Sequence, residues 1–251
     1  AGMEMAYQPI VSVHGEVLHK EGQDFVAQAG DLLLADVGAE SLGGVASDVT
    51  RTWPVSGKYS PTQRSIYELV LKAQLHAIDA AKPGARYRDV HLVACRTLIQ
   101  GLVELGIFRG DPSELLSDGA HALFFPHGAG HLIGLDVHDM EDLGDLAGYD
   151  DGRFRSNQFG LNYLRLDRDL RAGMAVTIEP GFYQIPALLD SSSEISRKIG
   201  GRLNRAELAK FKDVRGIRIE DDILITDSGR EVLTCAIPKT VSEIEGMVGK
   251  N

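Results

Sequence analysis

The sequence predicts a single α+β domain on three observations. The opening third reads as short strands separated by turn signals, the middle holds two amphipathic helices, and the second half returns to strands. A chain of 251 residues, whether α/β or α+β, can bury one large core without splitting, so one domain over 1–251 is expected.

The first strands are expected at Ile10–Val13, Glu16–His19, Leu32–Val37 and Val45–Trp53, with His14-Gly15, Ala29-Gly30-Asp31 and Gly43-Gly44 turning between them. Ser60-Pro61-Thr62-Gln63 then offers an N-cap, a proline in the first turn and a capping-box glutamine, which predicts a helix start. Ile66, Leu69, Val70, Ala73 and Ala77 follow at helical spacing, and Lys82-Pro83-Gly84 stops the run. A second helix carries Val90, Val93, Ala94, Leu98, Leu102 and Leu105 on one stripe and ends at Gly106. Strands are expected again around Phe124–His138, Ala175–Tyr183, Gly216–Thr226 and Arg230–Leu233. Two long polar insertions, Glu141–Arg171 and Gln184–Arg215, interrupt them, and loops of this length usually cover a site or an interface. A short helix is expected within Arg202–Phe211.

Composition narrows the function classes. A net charge of -10 without a Lys/Arg cluster argues against a nucleic-acid partner. The longest apolar runs are strand-sized, which argues against a membrane span. The first twenty residues lack the basic start and apolar stretch of a secretory signal. Cys95 and Cys235 lack Cys-x-x-Cys spacing, and Cys95 falls on the second helix as a buried thiol, so reduced cysteines in the cytoplasm are expected.

Five scattered residues carry the chemistry: Asp36, Asp48, His131, Glu179 and Glu220. They sit in LLLADVGAE, ASDVTRTWPVSG, FPHGAGHLIGLDVHD, TIEPGFY and GIRIEDDILIT. Singly each has a plain reading, as a loop cap, a turn or a surface ion pair. Together, four carboxylates and an imidazole are a ligand set that two hard or borderline divalent ions share. Asp36 and Asp48 are expected on neighbouring antiparallel strands, with Ala46, Thr50 and Thr52 on the face of Asp48 and Thr50 placed to bond a ligand oxygen. Alternation groups Thr177 with Glu179, and Arg218 with Glu220 and Asp222, so a guanidinium lies beside a ligand carboxylate. His127, His131 and His138 cluster among Gly128, Gly130 and Gly134. One imidazole would bind metal and the others would shuttle protons or hold substrate.

SDVTRTWPVSGKYSPTQRSIYELVL, HGAGHLIGLDVHD, TIEPGFY and GIRIEDDILIT, taken together, resemble the pita-bread-fold metallopeptidases, specifically the proline peptidases prolidase and aminopeptidase P, from about Pro9 to Thr234. The resemblance implies the pita-bread (creatinase/aminopeptidase) fold, a curved, mostly antiparallel sheet with helices on its outer face. It implies Asp36, Asp48, His131, Glu179 and Glu220 as ligands of two ions, Asp48 and Glu220 spanning both. Manganese is the implied metal, with cobalt or zinc possible. Glu179 resembles the general base, and His138 resembles the residue assisting proton transfer at the scissile bond. Arg218 resembles an arginine near the substrate and second metal. His19, His127 and Tyr183 join His138 and Arg218 as substrate residues.

The implied activity is hydrolysis of the Xaa-Pro bond in a proline-containing di- or oligopeptide. The prolidase type (Xaa-Pro dipeptidase) is favoured by the long stretch between Glu179 and Glu220 with FYQIPALLD; the aminopeptidase P type is the alternative. Methionine aminopeptidase fits less well, and a metal-free creatinase-like or silent binding protein is disfavoured by the complete ligand set. A homodimer is implied by resemblance alone, and phosphotriester hydrolysis is a possible side activity. The Asp36-to-Asp48 spacing exceeds the family's usual one by a residue, which the Gly43-Gly44 turn would absorb. The family's first helices and N-terminal domain have no counterpart, so a fragment of a longer protein is expected in preference to a surface covered by a partner.

Overall fold

The computed structural model describes residues 2–19 and 25–248. Ten strands run in order: β1 (Glu4–Met5), β2 (Ile10–Ser12), β3 (Leu32–Val37), β4 (Ala39–Glu40), β5 (Val49–Pro54), β6 (Ala175–Ile178), β7 (Gly181–Tyr183), β8 (Gly216–Arg218), β9 (Asp221–Ile225) and β10 (Arg230–Val232). Every ladder between them is antiparallel: β2-β3-β5, β10-β9-β6, β7-β8 and β1-β4.

Two long helices, α1 (Pro61–Ala80) and α2 (Tyr87–Glu104), lie between the two groups of strands in the chain. The capping box at Ser60 forms as the sequence predicts: its hydroxyl accepts from Gln63 N–H while the Gln63 side chain returns a bond to Ser60 N–H. The apolar stripes of α1 and α2 pack together and onto the strands. Ile66, Val70, Ala73 and Ala77 meet Ala94, Ile99 and Leu102 in one core that also takes in Ile217, Ile219, Ile223 and Ile225. Six shorter α-helices follow among the described residues, α3 (Pro112–Ser117), α4 (Asp145–Gly148), α5 (Pro186–Leu189), α6 (Glu194–Ile199), α7 (Arg205–Leu208) and α8 (Val241–Met247). The helix expected within Arg202–Phe211 is α7 with the 3-10 turn that follows it.

Two expected strands are absent. Glu16–His19 folds as turns and bends. Phe124–His138 is loop apart from a single bridge between Leu132 and Val176, because its glycines and polar turns leave few consecutive residues to pair. Two other segments are strands broken in the middle. Ala175–Tyr183 breaks at Glu179-Pro180 and Gly216–Thr226 breaks at Ile219-Glu220, so both glutamates leave the ladder and turn towards the same space. Lys20–Gly22, which follow His19, lie outside the described residues.

Candidate metal centre

β3 and β5 place the two aspartates. Asp36 pairs with Thr50 across the ladder, so Asp48, two residues earlier, lies diagonally opposite it on the same face. The phenol of Tyr7 bridges both, bonding Asp36 Oδ1 and, at 2.5 Å, Asp48 Oδ1. Gly38 makes room for this: a Cβ there would lie 2.0 Å from the Ser47 carbonyl and 2.5 Å from Tyr7 Cε1. Tyr7 is a member that sequence reasoning missed, since a tyrosine near a chain's start carries no motif; only the tertiary position shows it.

The second group of strands brings the glutamates. Glu220 N–H donates to the Thr50 carbonyl at 3.1 Å, stitching the two groups together, and Thr50 Oγ1 donates to Glu220 Oε2 at 2.6 Å. The same hydroxyl accepts from Arg218 Nε at 3.0 Å, and Arg218 Nη2 reaches Asp36 Oδ2 at 2.5 Å. Thr50 thus bonds the carboxylate of the candidate ligand Glu220, and Arg218 spans from Asp36 towards Glu179, 3.9 Å away.

The glycine-rich loop supplies the imidazole. Gly130 has φ 156° and lies so close to β6 that a Cβ would sit 2.2 Å from the Thr177 carbonyl. That approach lets His131 N–H bond Thr177 Oγ1 at 3.1 Å. The Leu132 carbonyl accepts from His131 Nδ1 at 2.9 Å, which turns Nε2 to Asp48 Oδ2 at 3.5 Å and Glu179 Oε1 at 3.6 Å. Ligand atoms of Asp48, His131 and Glu220 lie within 4.8 Å of one another.

The electrostatics test whether a cation belongs here. Burial holds the Glu220 carboxyl well above its ordinary range, with Asp48, Glu179 and Asp36 adding to the rise. Burial likewise lifts Glu179 to about 7 and raises Asp36. Asp48 goes the other way: burial opposes its ionisation, but bonds from His131 and Tyr7 hold its carboxyl low. Four acids crowded with one guanidinium are short of positive charge, and two divalent ions would meet both that shortage and the donor preferences of carboxylate and imidazole. The residues fit a dinuclear centre.

A cavity of about 490 Å³ opens over these groups. His19, His127 and His138 line it beside Asp36, Asp48 and Glu220. Both insertions close over it, Phe159, Tyr163 and Arg165 from one and Ile185, Ala187 and Leu188 from the other. The expectation that they cover a site holds. His138 stands edge-on to His131 with ring centroids 4.5 Å apart and bonds Glu141 at 2.7 Å. Burial pushes His127 down to about 3, with Arg218 adding to the effect, so its ring is neutral. Gly128 O accepts from His127 Nδ1 at 2.7 Å, leaving Nε2 to accept the Tyr183 hydroxyl at 2.9 Å. Tyr183 does not reach the cavity. It is fully buried behind His127, where its hydroxyl also accepts from Arg218 Nη1 at 3.4 Å, so its place is to support the wall.

Comparison with known proteins identifies the family and the fold. The profile of metallopeptidase family M24 matches residues 1–227. The human Xaa-Pro dipeptidase is 40% identical over 222 residues, covering 88% of this chain and 43% of that protein. A probable Xaa-Pro aminopeptidase of Fusarium vanettenii is 39% identical over 252 residues, covering 98% of this chain and 51% of its own length. The structure of Pseudomonas aeruginosa aminopeptidase PepP superposes with a TM-score of 0.72 at 36% identity, covering 97% of this chain and 48% of that one. The chain spans about half the length of the curated relatives it matches.

Proposed function

The chain belongs to metallopeptidase family M24 and has its α+β pita-bread fold, and we propose that it hydrolyses the Xaa-Pro peptide bond as a prolidase-type dipeptidase. The observation that carries this reading is the convergence of Asp36, Asp48, His131, Glu179 and Glu220 from five separated segments beneath one cavity. These five would hold two divalent ions, which when bound supply Lewis acidity and lower the pKa of a water.

The chain's own residues do the rest. Glu179, on the cavity lining beside His131, would take the proton of the attacking water and pass it to the departing proline nitrogen. His138, on the cavity wall beside His131, assists that transfer at the scissile bond. Arg218 steadies Asp36 and faces Glu179. His127 is held neutral by burial, and with His19 it shapes the pocket. Manganese as resident ion and a homodimeric assembly complete the reading and rest on family resemblance, and a cytoplasmic location joins them on the two free cysteines.

Dipeptide preference needs a cation for the free carboxylate beside proline. Both arginines line the cavity, but Arg218 is buried against Asp36, whereas Arg165, paired with Glu141 at 2.9 Å, keeps about a third of its side chain exposed. Arg165 is therefore the group we assign to that carboxylate. The aminopeptidase P reading is supported by the names of the Fusarium and Pseudomonas relatives. A Xaa-Pro dipeptide set against a Xaa-Pro-Xaa tripeptide separates the two. Dipeptide preference that Arg165→Ala abolishes through KM supports our assignment, and equal cleavage of both favours the alternative. Metal analysis separates either enzyme from a silent scaffold: about two ions per chain, lost with turnover in Asp48→Ala, supports catalysis. No ion bound in manganese-rich medium would reject it.

A further inference from the structure

A second group of metal-type donors lies outside the cavity. His91 and Cys95 sit one turn apart on the buried face of α2, and Cys95 Sγ is 3.2 Å from His91 Nε2. His121, from the 3-10 turn Ala120–Leu123, stands edge-on to His91 with ring centroids 5.8 Å apart. One donor atom from each residue lies within 4.8 Å of the other two. None of the three side chains is more than 1% exposed.

Beyond the bond between Cys95 Sγ and His91 Nε2, this burial is not offset by hydrogen bonds among the described residues. Among the described residues, neither ring nitrogen of His121 has a partner, nor does His91 Nδ1. Buried imidazole nitrogens are normally satisfied, and an ion held here would take one nitrogen from each ring. Burial keeps both rings neutral, lowering His121 to about 4 and His91 well below its usual range. Neutral imidazole is the form that ligates.

We propose that His91, Cys95 and His121 form a separate binding site for a single thiophilic ion, zinc. One sulfur and two imidazole nitrogens are the borderline-soft donors zinc takes, in contrast to the carboxylates of the cavity. Binding converts the Cys95 thiol to thiolate and releases its proton to solvent. A fourth position remains for a small ligand, since the cluster offers three donors. Phe125 separates this site from the cavity: its ring lies 5.3 Å from His91 on one side and 4.8 Å from His127 on the other. The ion would therefore pin α2 to the segment that leads into the cavity wall. The inference stands apart from the Xaa-Pro reading and survives its failure.

Cobalt replaces zinc and reports sulfur ligation by a thiolate-to-cobalt charge-transfer band, which no donor of the carboxylate centre can produce. Full chain purified from cobalt-supplemented medium should show that band. It should persist in Cys235→Ser and vanish in Cys95→Ser, with metal content falling by one ion per chain. Absence of the band in the unmodified chain, or its loss in Cys235→Ser instead, overturns the proposal. Should Cys95→Ser fail to fold, zinc-edge X-ray absorption of the unmodified chain decides: one sulfur at about 2.3 Å supports the site, and a shell of oxygen and nitrogen alone rejects it.

Discussion

Asp221→Asn tests how the two groups of strands are held together beside the metal centre. Asp221 is fully buried, and its carboxylate takes four bonds. Oδ1 accepts from Arg51 Nη2 at 2.8 Å and Thr234 Oγ1 at 2.7 Å, and Oδ2 accepts from Gln74 Nε2 at 2.8 Å and Lys239 Nζ at 2.5 Å. Arg51 comes from β5, Gln74 from α1 and Lys239 from the segment before α8, so one carboxylate ties three parts of the fold. Asparagine keeps the shape and offers one acceptor. Its amide nitrogen must then face two donors, and Arg51 and Lys239 both lose their anion, one of them losing its acceptor as well. Breaking a buried pair costs about 3–5 kcal/mol, and Lys239 retains 18% side-chain exposure through which water relieves it, which favours about 3 kcal/mol. In a chain of this size that corresponds to a fall in Tm of about 6–12 °C.

The pH dependence has a definite sign. Burial alone would raise the Asp221 carboxyl, but Arg51 and Lys239 outweigh it and hold it below the ordinary range. Its contribution is therefore complete above the unfolded carboxyl value near pH 4 and is lost as pH falls through the lowered folded value. Calorimetry of chelator-treated chain and variant should show the full gap at pH 7, narrowing below about pH 4. A gap under about 2 °C at pH 7, or one just as wide at about pH 3, refutes the reasoning.

Three further outcomes follow from the site. Thr50→Val preserves the strand but removes the hydroxyl between Arg218 and Glu220, so metal affinity or turnover should fall about 10–100-fold; an unchanged metal titration and rate would show the link to be idle. Gly38→Ala forces a methyl against the Ser47 carbonyl and the Tyr7 ring, which should cost about 1–3 kcal/mol in a urea melt, and an unshifted midpoint would mean the strands yield freely. Removing the ions with chelator from a chain saturated at about 100 times Kd should lower stability by about 2.7 kcal/mol for each ion, about 5 kcal/mol for two, and restoring manganese should recover it; a melt indifferent to chelator would argue against ions in the carboxylate centre.

Much of this protein is local information. The Ser60 capping box, the helix stripes and the Asp36 strand are patterns of near neighbours, governed by caps and periodicity, and the structure reproduces them. The candidate ligands were legible because four carboxylates in or beside apolar strand segments, joined by an imidazole from a fifth, call for a common cation. Strand propensity failed at Phe124–His138, where glycines and close approaches to β6 decide the path. No local rule places Tyr7 between two aspartates, moves Tyr183 behind His127 or leaves Arg165 on the cavity lining. Nor does one bring His121 to the helix that carries His91 and Cys95. These are contacts between segments far apart in the chain, set by how the core closes. Thus the sequence by itself determined which donors exist and what ions they suit, while tertiary packing decided which of them meet, at what distance and with how little water.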